Sequence, residues 1–280
     1  MPIPATFAGK LTLPVIASPM FIVSYPELVL AQCKAGIVGT FPSLNARQPG
    51  QLDEWLGRMT ADLADYAAAN PAQPVAPFGV NLIVHKSNTR LREDVELVVK
   101  HKVPLIITSV GAPTGIVEAV HSYGGLVFHD VTNIRHAKKA LSVGVDGLIL
   151  VAAGAGGHAG TLSPFALLSE VREFFDGPLV LAGAMSSGRS VRAAEVMGAD
   201  FAYIGTRFIA TAEANANEAY KQMLIDGAAS DIVYTPMFSG IPGNYLGPSI
   251  AANGIDPTAI SGGQADPNLS IEDWSKKKAW

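Results

Sequence analysis

Short apolar runs alternate with longer amphipathic segments along most of this 280-residue chain, and that alternation limits its fold more than any other feature. The runs fall at residues 14–18, 37–41, 78–83, 105–109, 126–129, 147–151, 179–182 and 201–204. Each is brief, rich in Val, Ile, Leu or Phe, and bounded by Gly, Pro or Asp. Strands buried on both faces of a parallel sheet read this way. Helical patterns fill the gaps at 25–35, 52–69, 92–100, 115–122, 134–143, 164–175, 187–197 and 215–226. Gly36, Gly124, Gly144, Gly198 and Gly227 follow such patterns and suit left-handed helix caps. Ser163-Pro164 offers an N-cap residue followed by proline at the first helical position.

Eight strands alternating with eight helices predict an α/β fold, a (β/α)8 TIM barrel over residues 1–229. An open doubly wound sheet is the runner-up, but no GxGxxG fingerprint follows the first strand. From about residue 230 the alternation stops. The stretch SGIPGNYLGPSIAANGIDPTAISGGQ, rich in Gly and Pro, predicts an irregular C-terminal lid or extension over residues 230–280, packed on the barrel.

Composition narrows the function classes. Hydrophobic residues make up 49% of the chain and charged ones 16%, enough for a large buried core. A net charge of −4 argues against a nucleic-acid surface, which needs clustered Lys and Arg. The one basic run, Lys276-Lys277-Lys278, reads as a solvated tail. Cys33 is the only cysteine, so there is no intrachain disulfide, and its place at the end of a helical pattern suits a packed, inert thiol. No apolar run approaches the ~20 residues of a membrane helix, and the N-terminus lacks a signal-peptide layout. A cytoplasmic protein is the expectation.

In such barrels the active site sits in the loops after the strands. That rule selects Ser18-Pro19-Met20, Asn81, Ser109-Val110-Gly111, His129-Asp130, residues 153–160, Gly183-Ala184-Met185 and Gly205-Thr206-Arg207. LAGAM and YIGTRF follow the seventh and eighth predicted strands, where barrels commonly hold a phosphate against exposed backbone amides. The competing reading is that Gly183 and Gly205 only make tight turns. Arg207 suits either a phosphate or an acidic neighbour. VAAGAGGHAGTLSPF, after the sixth strand, surrounds His158 with Gly154, Gly156, Gly157 and Gly160. Those glycines leave room for a flat ring system against the main chain, and His158 can donate a hydrogen bond, shuttle a proton or attract an anion. The alternative is a histidine that caps a turn. The six histidines show no HExxH or HxH spacing, so a metal site is not expected, and no GxSxG elbow is present.

Taken together, AGGHAG, LAGAM followed by SSGRSVRAAEVMGAD, and IGTRF resemble the nitronate monooxygenases, formerly called 2-nitropropane dioxygenases. PVIASPM, KAGIVGT, FGVNLIV and FSGIPGNYL extend the likeness over nearly the whole barrel and beyond it. The resemblance implies an FMN-dependent oxidoreductase. It would set Pro19 and Met20 beside the flavin and Asn81 against the ring or ribityl chain. Gly183, Ala184, Gly205 and Thr206 would hold the phosphate, and His158 would be the catalytic residue. His129, Gly156, Gly157 and Gly160 join the candidate cofactor contacts by loop position. The implied reaction is oxidation of an alkyl nitronate or nitroalkane by O2 to a carbonyl compound and nitrite. NAD(P)H-dependent quinone or enoyl-ACP reduction on the same barrel is the alternative, and a flavin-free phosphate-binding isomerase or lyase the second. The chain departs from the family pattern at Asp130, where some members carry Lys, and at Ala184, where Gly is common. The Gly/Pro-rich tail is a candidate surface for a homodimer.

Overall fold

Eight parallel strands close on themselves in the computed structural model, which describes residues 3–260. They are β1 (Val15–Ala17), β2 (Thr40–Pro42), β3 (Gly79–Ile83), β4 (Leu105–Ser109), β5 (Leu126–Val131), β6 (Gly147–Val151), β8 (Leu179–Ala182) and β9 (Phe201–Ile204). Between β6 and β8 the chain adds a two-residue strand, β7 (Gly157–His158). Hydrogen-bonded neighbours run β1-β9-β8-β6-β5-β4-β3-β2. A parallel bridge between Ile16 and Val38 joins the two ends, with Ala17 N–H donating to Val38 O at 2.8 Å. This is the expected (β/α)8 barrel.

Alternation along each strand sorts the core. Ile16, Val38, Leu105, Ile107, Phe128, Ile149, Val180 and Phe201 fill the barrel, while Val80, Ile106, Val127, Leu148 and Leu181 face the helices. Phe7, fully buried, reaches in from the N-terminal segment and packs edge-on against Phe201 (5.4 Å) and Phe128 (6.3 Å). Nothing in MPIPATFAGK signals this plug, because its partners lie more than a hundred residues away.

Most predicted elements lie within three residues of the observed ones. Gly36, Gly124, Gly144 and Gly198 take left-handed φ, but Gly227 is extended at −70°. A Cβ there would meet Met223 O at 2.9 Å, so close packing rather than a cap requires glycine. Ser163 makes no side-chain cap bond, although Pro164 does start its helix. The stretch expected to be irregular carries β10 (Ile232–Thr235), β11 (Gly243–Leu246) and short helices at Gly247–Ala252 and Pro257–Ile260. β10 and β11 pair with each other, and β11 pairs with β7 of the loop after β6. Their partner is remote in sequence, so local periodicity hides them. The basic run at 276–278 lies outside the described residues. Among the described residues no helix is long and apolar enough to cross a membrane.

Replacing Phe7 with Ala empties the N-terminal end of the barrel and is expected to cost about 3–5 kcal/mol. Urea unfolding of Phe7→Ala against wild type measures it.

Candidate active site

The C-terminal end of the barrel interior changes character from apolar to polar. Continuing the inward alternation, Asn81, Ser109, Asp130 and Tyr203 form the last layer of side chains. Asn81 donates to Ser109 Oγ at 3.1 Å and to Ile107 O at 3.3 Å, which fixes its amide. Asp130 is half-buried, its Oδ1 is shut off from solvent with no partner, and desolvation pushes its pKa up to about 7. Tyr203 lies close enough to feel that carboxylate; burial and Asp130 both push its phenol upward. The same alternation turns His129 toward the helices. There its Nδ1 meets Thr108 Oγ1 at 2.7 Å, and burial holds its pKa down at about 4. His129, expected among the cofactor contacts, therefore lies on the opposite face of β5 from Asp130.

Loops after four strands meet above that layer. Gly183 and Ala184, after β8, adopt φ of +146° and +50°. The Ala184 N–H donates to Gly154 O at 2.9 Å, and a Cβ on Gly183 would sit 2.8 Å from Ala153 O. A Cβ on Gly156 would lie 3.2 Å from Thr206 Oγ1, and one on Gly205 would lie 3.3 Å from Ser18 and 3.6 Å from Met20 Sδ. Met20, Gly156, Gly183, Ala184, Gly205 and Thr206 are thus brought together around one concave end. Gly160 serves otherwise: a Cβ there would meet Val151 O at 2.9 Å and Thr132 O at 3.0 Å. Gly157 belongs to β7.

Asn45 supports the site although nothing local in the sequence marks it. Its side chain accepts from Ile22 N–H (2.7 Å) and donates to Ser24 O (2.9 Å) and Met20 O (3.1 Å). It holds the Pro19-Met20 turn, including Ile22 at φ 58°. The signal available was a polar residue close after a strand, which is too common to single it out.

His158 is reachable by solvent, while enough protein surrounds its ring for desolvation to lower its pKa below the usual 6.5. Its Nε2 lies 2.6 Å from Ser239 Oγ. Ser239 belongs to the stretch between β10 and β11, so the extension reaches the imidazole directly. A largely neutral imidazole is available at neutral pH, suited to accept or donate a proton.

Glycine at 156, 183 and 205 keeps the main chain at this end free of side chains, which suits a phosphate and a flat ring. The unpaired Asp130 oxygen below supplies polar character at the ring's end of the barrel. The likeness to known proteins makes this an FMN-dependent oxidoreductase. The family model for nitronate monooxygenase matches residues 87–248, more than half of the chain, and the protein belongs to that family. A nitronate monooxygenase of Paraburkholderia phytofirmans is 25% identical over 285 residues, covering 87% of this chain and 76% of that protein. A 5-hydroxy-7a-methyl-1-oxo-octahydro-1H-indene-4-carboxyl-CoA dehydrogenase of Rhodococcus jostii is 27% identical over 83% of this chain, which spans 62% of that protein. FabK from Thermotoga maritima superposes with a TM-score of 0.74 at 26% identity, over 87% of this chain and 74% of its own. The nitroalkane oxidase of Streptomyces ansochromogenes shares the fold, with a TM-score of 0.75 at 24% identity, over 86% and 79%.

Ala184→Gly removes the left-handed strain and should stabilise the protein by about 1 kcal/mol, whereas Gly183→Ala drives a Cβ into Ala153 O and should lower both stability and FMN affinity. Thermal unfolding and flavin-fluorescence titration report these. The Asp130 pKa lies above that of the unfolded chain, near 3.8, so its contribution is intact below pH 4 and is lost as pH rises to about 7. Asp130→Asn should flatten that decline and raise stability at pH 8 by roughly 4 kcal/mol, read from urea unfolding between pH 4 and 8.

Proposed function

We propose that the protein oxidises alkyl nitronates with O2, giving a carbonyl compound and nitrite, and that His158 is its catalytic residue. The observation that carries this reading is the imidazole itself: open to solvent, held at Nε2 by Ser239, and carried two residues beyond Gly156 of the concave end. Backbone amides of Gly183, Ala184, Gly205 and Thr206 would hold the FMN phosphate, with Pro19, Met20, Asn81 and Gly156 beside the ring and ribityl chain. FMN, when bound, accepts electrons from the substrate and passes them to O2. A nitronate is a small anion, and the His158 imidazole would orient it by hydrogen bonding and stabilise its charge. With a neutral nitroalkane the same ring, unprotonated, would take the α-proton.

A second reading, NAD(P)H-dependent reduction, is supported by the Rhodococcus relative, which is named a dehydrogenase at an identity similar to that of the nitronate monooxygenase. Anaerobic mixing separates the two. Flavin bleaching by a nitronate supports the first, and bleaching by NADH or NADPH alone supports the second.

His158→Asn keeps a hydrogen-bonding side chain but cannot act as a base near neutral pH. It is expected to lower kcat/KM by roughly 10²–10⁴ with FMN still bound. With a nitroalkane, wild-type kcat/KM should rise with pH through a midpoint below 6.5, because only the unprotonated ring is a base. Full activity in His158→Asn would refute the assignment.

A further inference from the structure

We propose that Asn244 and Tyr234, on the two strands beyond the barrel, are positioning residues that set the place of His158 by holding the backbone on both sides of it. This rests on His158 being the reactive group. The segment from Gly154 to Gly160 contains four glycines, with Gly154 and Gly157 at left-handed φ of 85° and 67°. Such a segment has little conformational preference of its own. Its position must come from outside.

The attachments are specific. Asn244 Nδ2 donates to Ala155 O at 2.7 Å, three residues before His158. Tyr234 Oη donates to Ala159 O at 3.2 Å, one residue after it. Between these two points β11 sets the register, Gly243 opposite His158 and Asn244 opposite Gly157. Ala159 N–H donates to Pro242 O at 3.2 Å, and Ser239 meets the ring. Both Ala155 and Ala159 are buried, so a carbonyl released there loses its partner where water is scarce. β10 and β11 rest on a cluster of their own, with Val233, Phe238, Tyr245, Ile250 and Ile260, separate from the core of the barrel. The imidazole is therefore located by the extension and not by β6 alone. The titratable groups these strands bring toward it are the phenols of Tyr234, and of Tyr245 beside Ser239.

The test uses the FMN-loaded protein and three variants: Asn244→Ala, Tyr234→Phe and His158→Asn. The His158 ring is followed by NMR pH titration, its signal assigned by its loss in His158→Asn, and amide exchange is measured across the 154–160 loop. Asn244→Ala should loosen the loop and hydrate the already solvent-reachable ring more fully. The titration midpoint should then move up toward 6.5, with loop amides exchanging roughly tenfold faster. In the same variant kcat/KM should fall roughly tenfold, mainly through kcat, with FMN affinity held within about threefold. Tyr234→Phe, which removes only a hydroxyl, should move every readout the same way by less, and it serves if Asn244→Ala fails to fold. An unmoved midpoint and unchanged loop exchange in a folded variant overturn the proposal. Retained activity in His158→Asn, alongside a shifted midpoint in Asn244→Ala, refutes the catalytic reading and leaves the positioning standing.

Discussion

Closure of the parallel sheet is the constraint on which everything else depends. The short join, Val38 N–H to Val15 O and Ala17 N–H to Val38 O, turns an open sheet into a barrel. Once closed, inward alternation has a single interior to fill, and the C-terminal ends of all eight strands face one space. Phe7 stoppers the opposite end, so the interior is a packed core and its polar layer lies at the other mouth.

At that mouth, burial decides what each polar group can do. Asp130 and Tyr203 share a layer in which charge is expensive, and both are driven toward their neutral forms. His158 feels a milder version of the same effect. Main-chain bonds also join loops from different strands. Ala184 after β8 is tied to Gly154 after β6, so the turn suited to a phosphate and the loop bearing the imidazole share a support.

The barrel was legible because its signals are local. Runs such as 105–109 and 147–151 are apolar on both faces and start and stop at Gly, Pro or Asp, so strand and fold class follow from period and length. Strand-end residues such as Met20, Gly156, Ala184 and Thr206 follow from position alone. Residue-level orientation does not. His129 and Asp130 are adjacent at the end of β5, and a sequence does not say which of them turns inward once the strand runs on to Val131. Beyond residue 230 IVYT and GNYL are too short to declare themselves: they pair with each other, and GNYL alone reaches back to the two-residue strand at Gly157–His158.

The sequence by itself determined the alternation of elements, the residues that end each strand, and the singular placing of one imidazole among four glycines. Those depend on period, length and the backbone freedom of glycine, which each residue carries with it. Only the tertiary structure decided that Asp130 Oδ1 is shut off without a partner and that His129 faces the helices. It also decided that Ser239, Tyr234 and Asn244 come to the His158 loop. These depend on which remote surfaces meet, and hydrogen bonds across such distances are selected by packing and leave no periodic trace in the chain.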